Sequence, residues 1–186
     1  MAIACGNKHT AAVQADGTLW IWGTNDSGQL GDGTRTDRLK PVKVQGISEI
    51  AGVVCGREHT VALKQGGTVF SWGANGSGQL GDGTKTEKLR PVQVLGLAKV
   101  AAIAGGSDFN LALKKDGTLW GWGSDVYGEL GDAKTLESVE ECLPDYQFTS
   151  GEDLPCHFLQ SVQIFYQDRG QMKIDDPLFL HPSHLP

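Results

Sequence analysis

An all-β fold built from small repeated sheets is predicted by three features of this 186-residue sequence. Trp22, Trp72 and Trp122 fall 50 residues apart, and so do Gly31, Gly81 and Gly131. A fixed period of this size marks a solenoid, a propeller or an array. Within each period, short apolar runs alternate with glycine and turn residues, as they do in proteins made of small sheets. Proline opens one run in each of the first two copies, Pro41 in "KPVKVQG" and Pro91 in "RPVQVLG". A residue without a ladder donor belongs at the start or the edge of a sheet.

The second copy shows the elements in order. "VVCGREHTVALK" (53–64) supplies apolar runs and ends at Gln65-Gly66-Gly67, after which "TVFSWG" follows at once. Asp16-Gly17 and Asp116-Gly117 stand at the same joint in the other copies. Such dipeptides tolerate positive φ, so a tight two-residue hairpin turn is expected there. The loop "GSGQLGDGT" leads to the proline strand, and "AKVAAIAGG" (98–106) enters the next copy. Four strands per copy make one propeller blade. The fold class is therefore an incomplete β-propeller-like arc of about three four-stranded blades with a divergent C-terminal tail.

Residues 1–132 hold the repeats: 1–50, 51–100 and a partial third at 101–132. Residues 133–186 form an acidic irregular tail, expected to cap the arc or to be partly disordered. Of 26 glycines, 24 precede residue 132, as do all five tryptophans. Up to Asp132 the charges balance at 13 against 13, whereas the tail carries 3 basic and 9 acidic residues and thus the whole net charge of -6. A nucleic-acid binder would show a basic patch or stripe, so no direct nucleic-acid partner is expected. No apolar run reaches the roughly 18 residues that span a bilayer, and no membrane role is expected. The start, "MAIACGNKHT", lacks the pattern of a secretory signal, which favours an intracellular, cytoplasmic setting.

Gly76-Ser77-Gly78-Gln79-Leu80-Gly81 matches the dinucleotide-binding G-x-G-x-x-G in form. Asp26 and Val126 replace Gly76 in the other copies, and the sequence that follows reads as loop and strand, not helix. The glycines are read as architecture, and no cofactor is expected. His9 and His59 become Phe109 in the third copy, so a packed ring with one satisfied nitrogen is favoured over a metal or catalytic site. Asp32, Asp82 and Asp132 sit beside glycine, where Asp makes its own backbone turn, and they lack the spacing of a calcium loop. The pairs Trp20/Trp22, Phe70/Trp72 and Trp120/Trp122 each project to one sheet face and are read as core. Cys5 and Cys55 share a position that Gly105 also occupies, pointing to a small buried side chain. Cys142 and Cys156 lack metal-ligand spacing, and free thiols are expected throughout. The sequons at Asn25 and Asn75 are read as turn chemistry.

The most functional-looking surface is "GTRTDRLK" (33–40) and "GTKTEKLR" (83–90). Arg35, Arg38, Lys85 and Lys88 stand there on glycine-tethered loops, suited to an acidic protein partner, and loops on a rigid scaffold are where recognition concentrates. No nucleophile–base constellation is assignable, so enzyme activity is not expected.

"CGxxHT" (5–10, 55–60), "DGTLWxWG" (16–23, 116–123), "GQLGDGT" (28–34, 78–84) and "PVxV" (41–44, 91–94) together resemble the repeats of the regulator-of-chromosome-condensation family. The resemblance covers residues 1 to about 132. It implies a β-propeller, seven-bladed in full members, and a role in protein recognition, including nucleotide exchange on a small GTPase. The first expectation is a non-enzymatic protein-interaction scaffold. The alternatives are an exchange factor for a small GTPase and an inhibitor-type propeller that binds a secreted enzyme. Propellers close with about 4 to 8 blades. Three readings reconcile three repeats with closure: a piece of a longer propeller, a homo-oligomer that completes the ring, or a tail that covers the open face.

Overall fold

A computed structural model describes residues 1–131. They form eleven strands: β1 (Ala2–Cys5), β2 (His9–Val13), β3 (Leu19–Gly23), β4 (Arg38–Lys43), β5 (Ile50–Cys55), β6 (His59–Lys64), β7 (Val69–Gly73), β8 (Lys88–Gln93), β9 (Val100–Gly105), β10 (Phe109–Lys114) and β11 (Leu119–Gly123). The first sheet runs β1-β2-β3-β4 and the second β5-β6-β7-β8, each an antiparallel meander. The third contains β9, β10 and β11. The expected tail cap, Asp132, Cys142 and Cys156 lie outside the described residues.

The sheets stack through their first strands, with β1 against β5 and β5 against β9. One apolar core joins the first two sheets, and includes Val13, Ile21, Leu30, Val53 and Trp72. A second joins the next two, with Val61, Val69, Val94, Ile103 and Ala112. Alternation along each strand produces these cores: in β2 His9, Ala11 and Val13 are buried and Thr10 and Ala12 half-buried. The proline strands β4 and β8 are the outermost and least buried strands of their sheets.

The hairpin turns differ from the two-residue form that the sequence suggests. Between β2 and β3, the Gly17 N–H donates to the Gln14 carbonyl at 3.0 Å and the Gln14 N–H to the Thr18 carbonyl at 2.9 Å. Gly17 has φ +78, whereas Asp16 is not among the residues with positive φ. This is the three-residue loop that ends in a left-handed glycine. Asp16 contributes its side chain, accepting the Thr18 N–H at 2.9 Å. Lys64–Thr68 and Lys114–Thr118 repeat the arrangement.

Candidate functional site

Each glycine loop is organised by one buried side-chain amide. Asn25 Nδ2 donates to Asp32 Oδ1 (3.3 Å), the Thr34 carbonyl (2.9 Å) and the Thr36 carbonyl (3.2 Å), while its Oδ1 accepts the Leu30 N–H at 2.9 Å. Asn75 does the same with Asp82, Thr84, Thr86 and Leu80. In the third loop Asp125 keeps only the acceptor half, taking the Leu130 N–H at 2.9 Å. Both sequon asparagines are fully buried and work as loop brackets. The Gly76–Gly81 segment runs on into β8. It therefore lacks the helix N-terminus on which a dinucleotide pyrophosphate sits.

The four basic residues singled out in the sequence do not converge. Arg38 and Lys88 hold equivalent positions and turn back on their own loops. Arg38 Nε donates to Asp32 Oδ2 at 2.8 Å, and Lys88 Nζ lies 3.3 Å from Asp82 Oδ2. Burial raises the pKa of both aspartates, but hydrogen bonds from Thr34 and Arg38, and from Thr84, Asn75 and Lys88, outweigh it and leave both lowered. Arg35 donates to the Asp26 carbonyl at 2.7 Å and pairs with Glu87 of the next loop, joining the two. Lys85 is exposed beside a shallow depression lined by Ala74, Asn75, Gly76, Thr86 and Glu87. The third loop adds a feature that the sequence reading missed. Val126 and Tyr127 are exposed at its tip, the latter by 90 %, where the other loops carry Asp26-Ser27 and Gly76-Ser77. The signal was the break in the repeat itself.

The recurrent polar chemistry lies at the seams between sheets. The Gln29 carbonyl accepts from Thr60 Oγ1 at 2.8 Å and from Trp72 Nε1 at 2.8 Å. One period later the Gln79 carbonyl accepts from Asn110 Nδ2 at 2.9 Å and Trp122 Nε1 at 3.0 Å. His9 Nε2 meets Thr60 Oγ1 at 2.9 Å, and His59 Nε2 meets Asn110 Oδ1 at 2.9 Å. The Thr60 proton is committed to Gln29 and the Asn110 oxygen only accepts, so both histidines are neutral Nε2–H tautomers. Burial, followed by the nearby His59, lowers the His9 pKa to about 4. Burial likewise lowers that of His59, against the opposing pull of Asn110 and Asp108. Trp72 seats where Gly31 carries no side chain: a Cβ there would stand 2.7 Å from the indole nitrogen, and φ is +68.

The same positions are uncovered on the first sheet. Trp72 is wholly buried, and Phe70, Trp120 and Trp122 are half-buried against the two cores. Trp20 and Trp22, by contrast, are half-buried and join neither core, and Trp20 bonds to Gln14 Oε1 at 3.0 Å. Cys5 is exposed and Cys55 half-buried, both as free thiols. Burial, then Cys5, pushes the Cys55 thiol up to about 12. The core expectation for Trp20 and Trp22 and the buried expectation for Cys5 thus fail on this sheet. Its outer face has no neighbour among the described residues. Among those residues, no three His, Cys, Asp or Glu side chains group to hold a metal, and no helix is long and apolar enough to cross a membrane.

Comparison with known proteins agrees with this architecture. The chain is similar to the human WBSCR16 crystal structure (26 % identity, TM-score 0.64, covering 74 % of this chain and 37 % of that one). It is also similar to Prp20p from Saccharomyces cerevisiae, in a structure described with its binding properties to Gsp1p and histones (27 % identity, TM-score 0.60, 71 % of this chain and 32 % of that one). Among curated relatives, the Arabidopsis thaliana ultraviolet-B receptor UVR8 is 55 % identical over 42 residues, 23 % of this chain and 10 % of that protein. The Caenorhabditis elegans X-linked retinitis pigmentosa GTPase regulator homolog is 39 % identical over 44 residues, 24 % of this chain and 3 % of that protein. The chain thus matches a tenth or less of these curated relatives and about a third of the solved propellers. The regulator of chromosome condensation (RCC1) repeat model matches residues 16–63 and 66–113, and a second model of that repeat matches 2–29, 50–79 and 100–129. With most of residues 2–129 matched and every blade seam bonded in register, the chain belongs to the regulator of chromosome condensation (RCC1) repeat family.

Proposed function

We propose that this chain is a non-catalytic platform that binds another protein through the loops at 24–37, 74–87 and 124–131. The observation that carries the reading is the contrast within those loops. Asn25 and Asn75 fix the backbone from inside, while Arg35, Lys85, Val126 and Tyr127 remain at the surface. A rigid loop loses little conformational freedom on binding, and exposed aromatic and basic side chains are the usual anchors of protein interfaces.

A second reading, regulation of a small GTPase, is favoured by the likeness to Prp20p, whose described binding includes Gsp1p, and to the GTPase regulator homolog. One experiment separates the two. The purified chain is added to a Ran-type GTPase loaded with fluorescent GDP, and binding and nucleotide release are followed together. Binding without faster release supports the platform, and faster release supports an exchange factor. Neither binding nor release argues against this GTPase as the partner. Where binding occurs, Tyr127→Ala and the double change Arg35→Glu, Lys85→Glu are each expected to weaken it at least tenfold.

A further inference from the structure

The internal seams show what an outer sheet face requires, and the two ends of the arc supply it in complementary form. At each internal seam, the preceding sheet and its loop together cover the next sheet at fixed repeat positions. Val53 and Ile103 are 0 % and 3 % exposed there, while the equivalent Ile3 is 68 % exposed. Leu89 packs on Gly28 of the preceding loop, while the equivalent Leu39 is 95 % exposed. Thr60 and Asn110 are buried and Thr10 is only half-buried. The first sheet therefore presents Ile3, Thr10, Trp22 and Leu39 without a covering loop among the described residues. At the other end, the loop Asp125–Gly131 has the form of the covering loops. Glu129 Oε2 accepts the Tyr127 N–H at 2.8 Å, as Gln29 accepts Ser27 and Gln79 accepts Ser77, and Gly131 has φ +91 like Gly31 and Gly81. No described donor reaches the Glu129 carbonyl.

The charges at this position decide what fits. An acid at this position takes a neutral donor across each internal seam. Gln79 Nε2 donates to Asp108 Oδ1 at 3.3 Å, whereas at the first seam the donor to Glu58 Oε2 is Ser27 Oγ, at 3.1 Å, and Gln29 Nε2 turns to Thr24. At the ends both partners change. Lys8 replaces the acid and Glu129 replaces the glutamine, so the two ends carry opposite charges at the positions that meet as Gln79 and Asp108 across the second seam. We infer that the outer face of the first sheet docks the Asp125–Gly131 loop of a second copy of this chain, with Lys8 against Glu129. The Glu129 carbonyl takes the place of the Gln29 carbonyl as acceptor for Thr10 and Trp22. Phe109 forms no histidine-type bond, so this seam holds through that carbonyl and the ion pair. Such a contact is heterologous, closing a ring or extending a chain. Two copies bring six sheets, within the roughly 4 to 8 that close a propeller.

The test is mass in solution by light scattering across a dilution series of the full chain. The expected result is a concentration-dependent mass of at least twice the monomer. Lys8→Glu and Glu129→Lys should each return the chain to monomer mass, and Glu129→Gln should weaken association at least threefold. An equimolar mixture of Lys8→Glu and Glu129→Lys restores opposite charges at both contacts, and association should return, which a misfolded variant would not show. A wild-type chain at monomer mass throughout overturns the inference. So does a mass unchanged by either reversal, or a mixture that stays monomeric.

Discussion

His59 Nε2 donates to Asn110 Oδ1 across 2.9 Å, and 50 residues earlier His9 Nε2 makes the equivalent bond to Thr60 Oγ1. Each histidine belongs to one sheet and its acceptor to the next. The seam therefore depends on an imidazole that stays neutral.

Acidification should destabilise the chain in a defined window. Folded His9 has its pKa lowered from 6.5 to about 4, and that of His59 is also lowered. Below pH 6.5 the unfolded chain takes up protons that the folded seams refuse, so stability falls as pH drops from about 6.5 toward 4. For His9 this amounts to about 3 kcal/mol at the low end, at 1.36 kcal/mol per pKa unit. Urea midpoints at pH 7.5 and pH 5 check it: the lower pH should have the lower midpoint, with His9→Phe flattening the difference.

Thr60→Val should cost about 1–3 kcal/mol, because it strands the His9 donor and one lone pair of the Gln29 carbonyl in a buried site. Asn110→Thr should cost less, since threonine already serves at the same position in the second copy. Equilibrium unfolding of the two variants ranks them.

Two glycines of one strand region should respond in opposite ways to alanine. A Cβ at Gly56 would collide with the His59 ring, whereas one at Gly52 meets nothing within 4 Å. Gly56→Ala forces the ring out of the seam and should cost about 2–3 kcal/mol, in the range of overpacked cores. Gly52→Ala should stay within about 0.5 kcal/mol of wild type or gain slightly from lost chain entropy. Thermal midpoints measured side by side test the contrast.

Arg38 and Arg35 should separate in the same way. Arg38 pairs with a largely buried Asp32 and also donates to Thr34 at 3.3 Å. Its alanine variant should lose about 1 kcal/mol, the upper end for a partly exposed pair. Arg35→Ala, at an exposed pair, should change stability by less than about 0.5 kcal/mol, so that any effect on partner binding reads as contact.

The strands were legible because each obeys a local rule: alternating burial in β2, a glycine joint at Gly17, a proline on the edge strand, where it stands fourth in β4 and β8. The histidine reading was legible for a similar reason, since Phe109 at the same position requires a ring that packs more than it reacts. The seams were not, because their shared acceptors are the main-chain carbonyls of Gln29 and Gln79, which no side-chain pattern displays. Arg38 and Lys88 read as free surface charge because the sequence does not show the chain folding back to bring Asp32 and Asp82 beside them. The turn after Gln14 was misjudged because Asp16-Gly17 suits two turn forms, and packing of Gly17 against Glu49 of the next sheet accompanies the longer one.

A joint between blades that relies on a peptide oxygen keeps that acceptor whatever side chain its residue carries, leaving the side chain to set a second contact, as Gln79 does with Asp108. Drift at residues 29, 79 and 129 therefore leaves the shared acceptor in place while changing which neighbour the side chain favours.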